Sequence, residues 1–266
     1  NYFSKSNSVS IDTRTLTKGD IYFALKGDNF DGNKFAELAI KKGASYAVVD
    51  DTSLNHPLFL TVRNCLESLQ EIAKIHRSKL TKTKFIALTG SNGKTTTKEL
   101  ISNVLSSKFR VSSTIGNLNN HIGVPLTLLK TNQNTEIAVI EMGANHLKEI
   151  EFLTSMINPD YGLITNFGKA HLEGFGSIEG VIKGKSELYE FLAKKNKMVL
   201  FQRFFKPTSN VELTCQFYLF QLKSGKPAKQ VLPKVNSLWV VGKSQPKVCD
   251  PLFKQWKASG YLTKEI

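Results

Sequence analysis

One nine-residue stretch, Thr89-Gly90-Ser91-Asn92-Gly93-Lys94-Thr95-Thr96-Thr97, constrains this chain more than any other. An apolar run, Phe85-Ile86-Ala87-Leu88, precedes it, and a helix-like segment follows. A strand, a glycine turn, a lysine and hydroxyl residues at a helix start form a cradle for phosphate. Glycines let backbone N–H groups close on phosphate oxygens, so Gly90, Asn92, Gly93 and Thr96 are expected to line the cradle. Lys94 supplies a point charge for the outer phosphates. The Thr95 hydroxyl is placed to ligate Mg²⁺. Gly90 and Gly93 are three apart, whereas the ordinary P-loop spacing is five. A bare Gly-Lys-Thr would suit any strand-to-helix turn. The preceding strand and the full Gly-x-x-Gly-Lys-Thr-Thr run favour a nucleoside triphosphate.

The chain has 266 residues, 41% of them hydrophobic, enough for a packed core and an expected two domains. No apolar run is long enough to span a membrane. The opening residues lack the apolar core of a signal peptide, and without an initiating Met the start reads as trimmed. Cys65, Cys215 and Cys249 lie far apart and suit neither a disulfide framework nor a metal cluster. A reducing cytoplasm follows as the expected location. The net charge is +14, yet residues 201–266, with 11 Lys and Arg against 3 Asp and Glu, carry more than half of it. The first 200 residues are only mildly basic, as suits an enzyme for anionic substrates.

Residues 10–60 alternate short apolar runs with turns. A strand is expected at Ile21-Tyr22-Phe23-Ala24-Leu25, a short helix at 35–40 and a second strand at 46–49. Val62, Leu66, Leu69, Ile72 and Ile75 recur at helical spacing. The polar stretch 79–84 then reads as a domain boundary. From Phe85 the pattern becomes strands at 85–89, 136–142, 161–165 and 197–201, alternating with helices at 95–107, 146–157 and 177–193. Leu100, Ile101, Val104 and Leu105 are expected to form the inner face of the first of these helices. Leu147, Ile150, Leu153 and Ile157 should do so for the second. Repeated β-α-β units imply a parallel sheet covered by helices, with ligands beyond the carboxyl ends of the strands. Residues 201–266 show aromatic clusters with little period, and no fold is assigned to them.

Three further places are expected at that sheet edge. Glu141 ends an apolar strand, as an acid presented to Mg²⁺ would. His171 follows the strand at 161–165. Lys183 and Lys185 flank Gly184 on the helix after Ser177. Singly, these also read as a charged strand end, a loop histidine and solvated lysines. The amide-rich run Asn117-Leu118-Asn119-Asn120-His121-Ile122-Gly123-Val124-Pro125 could serve as a ligand loop, but by itself reads as a capped turn into a helix.

Together these residues resemble the Mur ligase family, the ATP-dependent amide ligases of peptidoglycan assembly. The resemblance is carried by the phosphate loop, by Gly116 with the amide run, by Glu141-Met142-Gly143-Ala144, and by the run from Asn166 to Glu173 followed by Phe175-Gly176-Ser177. Asp12-Thr13-Arg14, the run from Gly19 to Gly27 and Asp31-Gly32-Asn33-Lys34-Phe35 resemble that family's UDP-sugar domain. The likeness covers about residues 9–200. It implies a small N-terminal α/β domain for the UDP-muramoyl substrate (1–80) and a central parallel-sheet ATPase domain, incomplete here (81–200). Residues 201–266 are left as a non-matching basic tail, read as disordered or frameshifted.

The resemblance also implies the ligands. Lys94 would bind the outer phosphates of ATP, Thr95 and Glu141 the first Mg²⁺, and His171 a second. Lys185 falls where the family carries a CO₂-carbamylated lysine, with Lys183 the other register. Catalytic roles thus fall to Lys94, Lys185 and His171. Thr13, Arg14, Asn117 and Asn120 become candidates for substrate contact. The implied reaction joins D-alanyl-D-alanine to UDP-N-acetylmuramoyl-tripeptide through an acyl phosphate. All of these partners are small molecules; no membrane insertion or nucleic acid is expected, and a monomer is. The family's third domain, with its Asp- and Asn-bearing loop, is not found in the sequence, so ligation at a normal rate is not expected. A Mur-type ligase adding a single amino acid and a non-catalytic nucleotide-binding fragment are the alternatives.

Overall fold

The computed structural model describes residues 2–168, 171–195, 211–223, 225–239 and 245–262. The strand expected at 197–201 lies outside the described residues.

The first sheet is parallel, in the order β1 (Val9–Ser10), β2 (Ile21–Phe23), β5 (Tyr46–Val49), β6 (Phe59–Thr61). A small antiparallel pair, β3 (Lys26–Gly27) and β4 (Phe30–Asp31), stands beside it. Strands β2 and β5 read as near-continuous apolar runs, as strands buried on both faces do. α1 (Ala36–Lys41) packs on β5, and α2 (Cys65–Lys79) closes the core with Cys65 and Leu69. Asn64 caps α2, its side chain accepting from Glu67 N–H.

The boundary expected at 79–84 is not a loose linker. Leu80 and Thr83 are buried, and Thr83 Oγ1 donates to Thr135 O at 2.7 Å. Ala73 of α2 belongs to the second core, while Cys65 and Leu69 belong to the first. Arg77 donates to Ile157 O at 2.6 Å and to Asn158 O at 2.9 Å, with its guanidinium over the Phe85 ring. α2 therefore joins the two cores, and a polar sequence hid this because Arg77 is buried through partners remote in sequence.

The second sheet is parallel in the order β10 (Tyr161–Ile164), β7 (Lys84–Thr89), β9 (Ile137–Glu141), β8 (Val111–Ser113). Helices α3 (Lys94–Ser106), α4 (Gly123–Lys130) and α5 (Glu149–Ile157) connect these strands; α6 (Leu172–Phe175) and α7 (Ile178–Lys194) follow β10. Its core joins Phe85, Leu128, Ile140, Met142, Leu153 and Leu188. The expected strands and helices from 85 to 193 stand within a few residues of their observed ends; β8 was not expected, and α4 is the helix that a capped turn at 117–125 would enter.

α3 corrects one expectation. Leu100 and Val104 are 61% and 70% exposed, and the buried residues of the helix are Lys98 and Ser102. Ile101 and Leu105 are half-buried, so half of the expected inner face turns inward, while the fully buried positions of the helix are polar. Leu147 likewise stands 39% exposed ahead of α5, while Ile150, Leu153 and Ile157 are buried as expected.

Residues beyond 210, left without a fold by their pattern, pack as α8 (Val211–Lys223), α9 (Ala228–Val231), α10 (Asn236–Trp239) and α11 (Asp250–Ala258). Their core holds Phe217, Val231, Leu232, Leu252, Phe253 and Trp256, and Trp256 Nε1 donates to Asn236 Oδ1 at 2.7 Å. α8 carries apolar residues on several sides (Phe217, Tyr218, Leu219, Leu222), which erases the 3.6-residue period. Cys215 and Cys249 form a disulfide, contrary to the reading of three unpaired cysteines, because the fold brings together two positions 34 apart in sequence. Cys65 is free and buried.

Ile140→Ala, which empties a fully buried position, should lower unfolding free energy by about 2–5 kcal/mol. Leu100→Ala should change it by less than about 0.5 kcal/mol. Equal losses in urea titrations would return Leu100 to the inner face. Alkylation of the air-oxidised, denatured chain without reductant should label one cysteine; three adducts would contradict the pairing.

Candidate active site

β7 and β9 are adjacent, with Leu88 in register with Glu141, so the phosphate loop and the carboxylate emerge side by side at the carboxyl edge. Gly93, at φ +73°, is the residue before α3, and no side chain caps the helix. Gly90, at φ +151°, lies where a Cβ would run into the Thr165 hydroxyl. Both positions need glycine, the first for its left-handed backbone and the second for space as well.

The loop is held from β10. Ser91 Oγ donates to Gly168 O at 3.0 Å, and Asn92 N–H donates to Asn166 Oδ1 at 3.0 Å. Thr165 Oγ1 donates to Asn92 O at 2.6 Å. Lys94 folds back onto its own loop, Nζ donating to Gly90 O at 2.9 Å and Ser91 O at 3.3 Å. Burial lowers its pKa, and the Glu141 carboxylate acts against that shift. Thr96 is exposed on the first turn of α3.

Glu141 is 1% exposed. Its Oε1 accepts from Asn119 Nδ2 at 2.8 Å and from Thr95 Oγ1 at 3.3 Å. Its Oε2 is buried without a hydrogen-bond partner among the described residues. Thr114 Oγ1 accepts from the Glu141 N–H at 2.9 Å. A buried carboxylate oxygen lacking a donor is costly in isolation. One carboxylate and one hydroxyl beside a phosphate loop suit Mg²⁺, which binds through few protein oxygens together with phosphates and water. Thr95 and Glu141 have the donor chemistry that would hold such an ion.

Lys185, not Lys183, is the inward residue. Lys185 is 1% exposed, while Lys183 is exposed. Burial brings the Lys185 pKa down to about 8, and the nearby positive charge of Lys94 adds to the shift. Its Nζ lies 5.5 Å from the centre of the Phe175 ring. About a tenth of this side chain is therefore a neutral, nucleophilic amine at pH 7, far more than for an ordinary lysine.

The remaining expected residues divide. His171 is exposed at the head of α6 with φ +54°, and no hydrogen bond joins it to Glu141 or Lys94 among the described residues. Asn117 is exposed. Asn120 Oδ1 accepts from Ile122 N–H at 3.0 Å and Gly123 N–H at 2.9 Å, capping α4 as the turn reading of that run has it. The amide that reaches the carboxylate is Asn119, one residue away and not singled out in sequence. Its signal is Gly143: a Cβ there would strike the Asn119 side chain. In the first domain Thr13 is buried, its carbonyl accepting from Lys42 Nζ at 2.7 Å. Arg14 is exposed and paired with Asp12 at 2.6 Å, and Asp12 is held down to about 2 mainly by that hydrogen bond.

Fold and site define an α/β chain of the phosphate-loop class, with a carboxylate on the strand next to the loop. The Mur ligase middle domain matches residues 88–224, and the Mur ligase family catalytic domain matches residues 5–77. The chain belongs to the Mur ligase family. It is 43% identical over 198 residues to the UDP-N-acetylmuramoyl-tripeptide--D-alanyl-D-alanine ligase of Bacillus subtilis (strain 168), covering 73% of this chain and 43% of that protein. The ligase of the same name from Rickettsia prowazekii (strain Madrid E) is 34% identical over 236 residues, 86% of this chain and 52% of that protein. That share exceeds what residues 1–200 make up, so the likeness runs past 200. The crystal structure of MurF from Acinetobacter baumannii superposes with a TM-score of 0.65 at 37% identity, covering 69% of this chain and 41% of that one. MurF ligase from Thermotoga maritima in complex with ADP gives 0.65 at 31% identity, covering 71% and 44%. The chain spans about half the length, or less, of these relatives.

The Lys185 shift sets a pH dependence. Its folded pKa lies below the ordinary lysine value near 10.4, so the unfolded chain binds the proton more tightly. Stability contributed by neutral Lys185 is absent below about pH 8 and rises from there to about pH 10.4. In CO₂-free buffer, urea unfolding of wild type relative to Lys185→Met should therefore favour wild type increasingly across that window and stay flat from pH 6 to 7. A flat difference throughout would contradict the buried amine. For the orphaned carboxylate, Glu141→Gln should leave the metal-free chain no less stable, yet abolish the rise in Tm caused by Mg²⁺ with ADP. A retained rise would remove Glu141 from the metal site.

Proposed function

We propose that this chain carries the ATP- and UDP-sugar-binding parts of an amide ligase that joins D-alanyl-D-alanine to UDP-N-acetylmuramoyl-tripeptide. The observation that carries the reading is the buried Glu141 carboxylate, one oxygen bonded to Thr95 and Asn119 and the other without a donor, beside a Gly-x-x-Gly-Lys-Thr loop. The names of the similar proteins supply the substrates.

In this reading Lys94 leaves the carbonyls of Gly90 and Ser91 for the outer phosphates of ATP. The open N–H groups of the first α3 turn, from Lys94 to Thr96, meet phosphate oxygens. Thr95 and Glu141 hold Mg²⁺, and His171 is the proposed ligand of a second. The ions, when bound, offset the charge on the phosphates. A carboxylate oxygen of the tripeptide attacks the γ-phosphorus, the bond to ADP breaks, and an acyl phosphate results. The amine of D-alanyl-D-alanine then attacks the carbonyl carbon, loses a proton and expels phosphate. Holding the reactants in line is the protein's main task.

Lys185 is the proposed carbamate. Its neutral amine attacks CO₂ and loses a proton, turning a cation into an anionic oxygen ligand beside Lys94. Thr13, Arg14 and Asn117 are proposed contacts of the muramoyl substrate. Asn120 is kept to its cap. We place the reaction in the cytoplasm, with the chain a monomer; no helix among the described residues is long and apolar enough to cross a membrane.

A coupled assay for phosphate release tests the reading. Release, expected below the rate of a full-length ligase because the chain spans about half of its relatives, should require ATP, Mg²⁺, the tripeptide precursor and D-alanyl-D-alanine together, and Lys94→Ala should lower it at least about 100-fold. Release that proceeds with a single amino acid in place of the dipeptide, or that survives Lys94→Ala, would overturn it.

A further inference from the structure

Lys98 has no part in the reaction as derived, yet it is the most fully buried charge beside the site, at 0% exposure. It lies one turn after Lys94 on the same face of α3. Its ammonium donates to Thr114 O at 2.6 Å and to Gly116 O at 3.4 Å, and pairs with Glu99 at 2.8 Å. A buried ammonium is costly unless every proton has a partner, and a methionine would fill the same space without that cost. The carbonyls it binds belong to the segment that builds the carboxylate's surroundings. Thr114 Oγ1 accepts from Glu141 N–H, Thr114 N–H donates to Val139 O, and Asn119, three residues beyond Gly116, donates to Glu141 Oε1. A continuous path of bonds thus runs from Lys98 through Thr114 to Glu141, with Asn119 on the same loop.

We propose that Lys98 is a positioning residue for the metal site: it clamps the 114–116 backbone so that Thr114 and Asn119 hold the Glu141 carboxylate in its ligating place. This rests on the reading of Glu141 and Thr95 as Mg²⁺ ligands. Lys98 touches neither metal nor nucleotide; it acts through the loop. Partners behind a metal ligand commonly change metal affinity 10- to 100-fold when removed.

The test is calorimetric titration of ADP into the full chain, in EDTA and over a series of Mg²⁺ concentrations. Wild type, Lys98→Met, Thr114→Val and the double variant are compared. The Mg²⁺ concentration giving half the gain in affinity should rise at least tenfold in each single variant. Affinity in EDTA should stay within twofold of wild type, which loss of general structure would not allow. The double variant should be no worse than the poorer single one, because both act on one path. In the metal-free chain, backbone amides of 114–119 should exchange hydrogen faster in Lys98→Met. Should Lys98→Met fail to fold, Thr114→Val and its amide exchange decide the matter alone. A Mg²⁺ effect in wild type with variants unmoved beyond twofold, or a fully additive double variant, overturns the proposal while sparing the metal reading. No Mg²⁺ effect in wild type overturns the metal reading and this proposal with it.

Discussion

The carboxylate of Glu141 is the point on which the site depends. It is buried at the tip of β9, next to the phosphate loop, and one of its oxygens has no hydrogen-bond donor. Such a group does not stabilise the fold; it is held in place by what surrounds it. Backbone pairing with β7, the Thr114 hydroxyl and the Asn119 amide do the holding. A divalent cation would supply what the free oxygen lacks. Local cost at a site, borne by the rest of the structure, is the usual signature of a functional position.

A second constraint is the crowd of positive groups nearby. Lys94 and Lys185 are close enough that the charge of one lowers the pKa of the other. The two respond differently because their surroundings differ. Lys94 keeps carbonyl partners and the Glu141 charge, whereas Lys185 faces the Phe175 ring. Burial lowers the pKa of both amines, but the Glu141 charge opposes the shift at Lys94, whereas the charge of Lys94 adds to it at Lys185. Lys98, with carbonyls and a carboxylate around it, serves the loop instead.

How far the sequence carried follows from where each contact lies. Parallel strands buried on both faces announce themselves as apolar runs, so β5, β7 and β9 stood out, and with them the sheet edge that gathers the loop and Glu141. The glycines of the loop were legible because φ at Gly93 and the space at Gly90 admit little else. Lys185 over Lys183 came from the family resemblance alone, since only the phase of α7 decides which one points inward. Lys98 and Arg77 were invisible for a related reason: a charged residue reads as solvent-facing until its remote carbonyl partners are known. Asn119 was missed between two neighbours of the same type, and only its approach to Gly143 sets it apart. α8 lacked a period because apolar residues stand on several of its sides, and a disulfide between positions 215 and 249 cannot be read from three distant cysteines.

The most direct measurement is a crystal structure of the chain with ADP and Mn²⁺, with the ion located by anomalous scattering. The account requires the ion within about 2.0–2.3 Å of both Glu141 Oε2 and Thr95 Oγ1, on the nucleotide phosphates. An ion bound elsewhere, or a nucleotide seated with Glu141 Oε2 still lacking a partner, would contradict it.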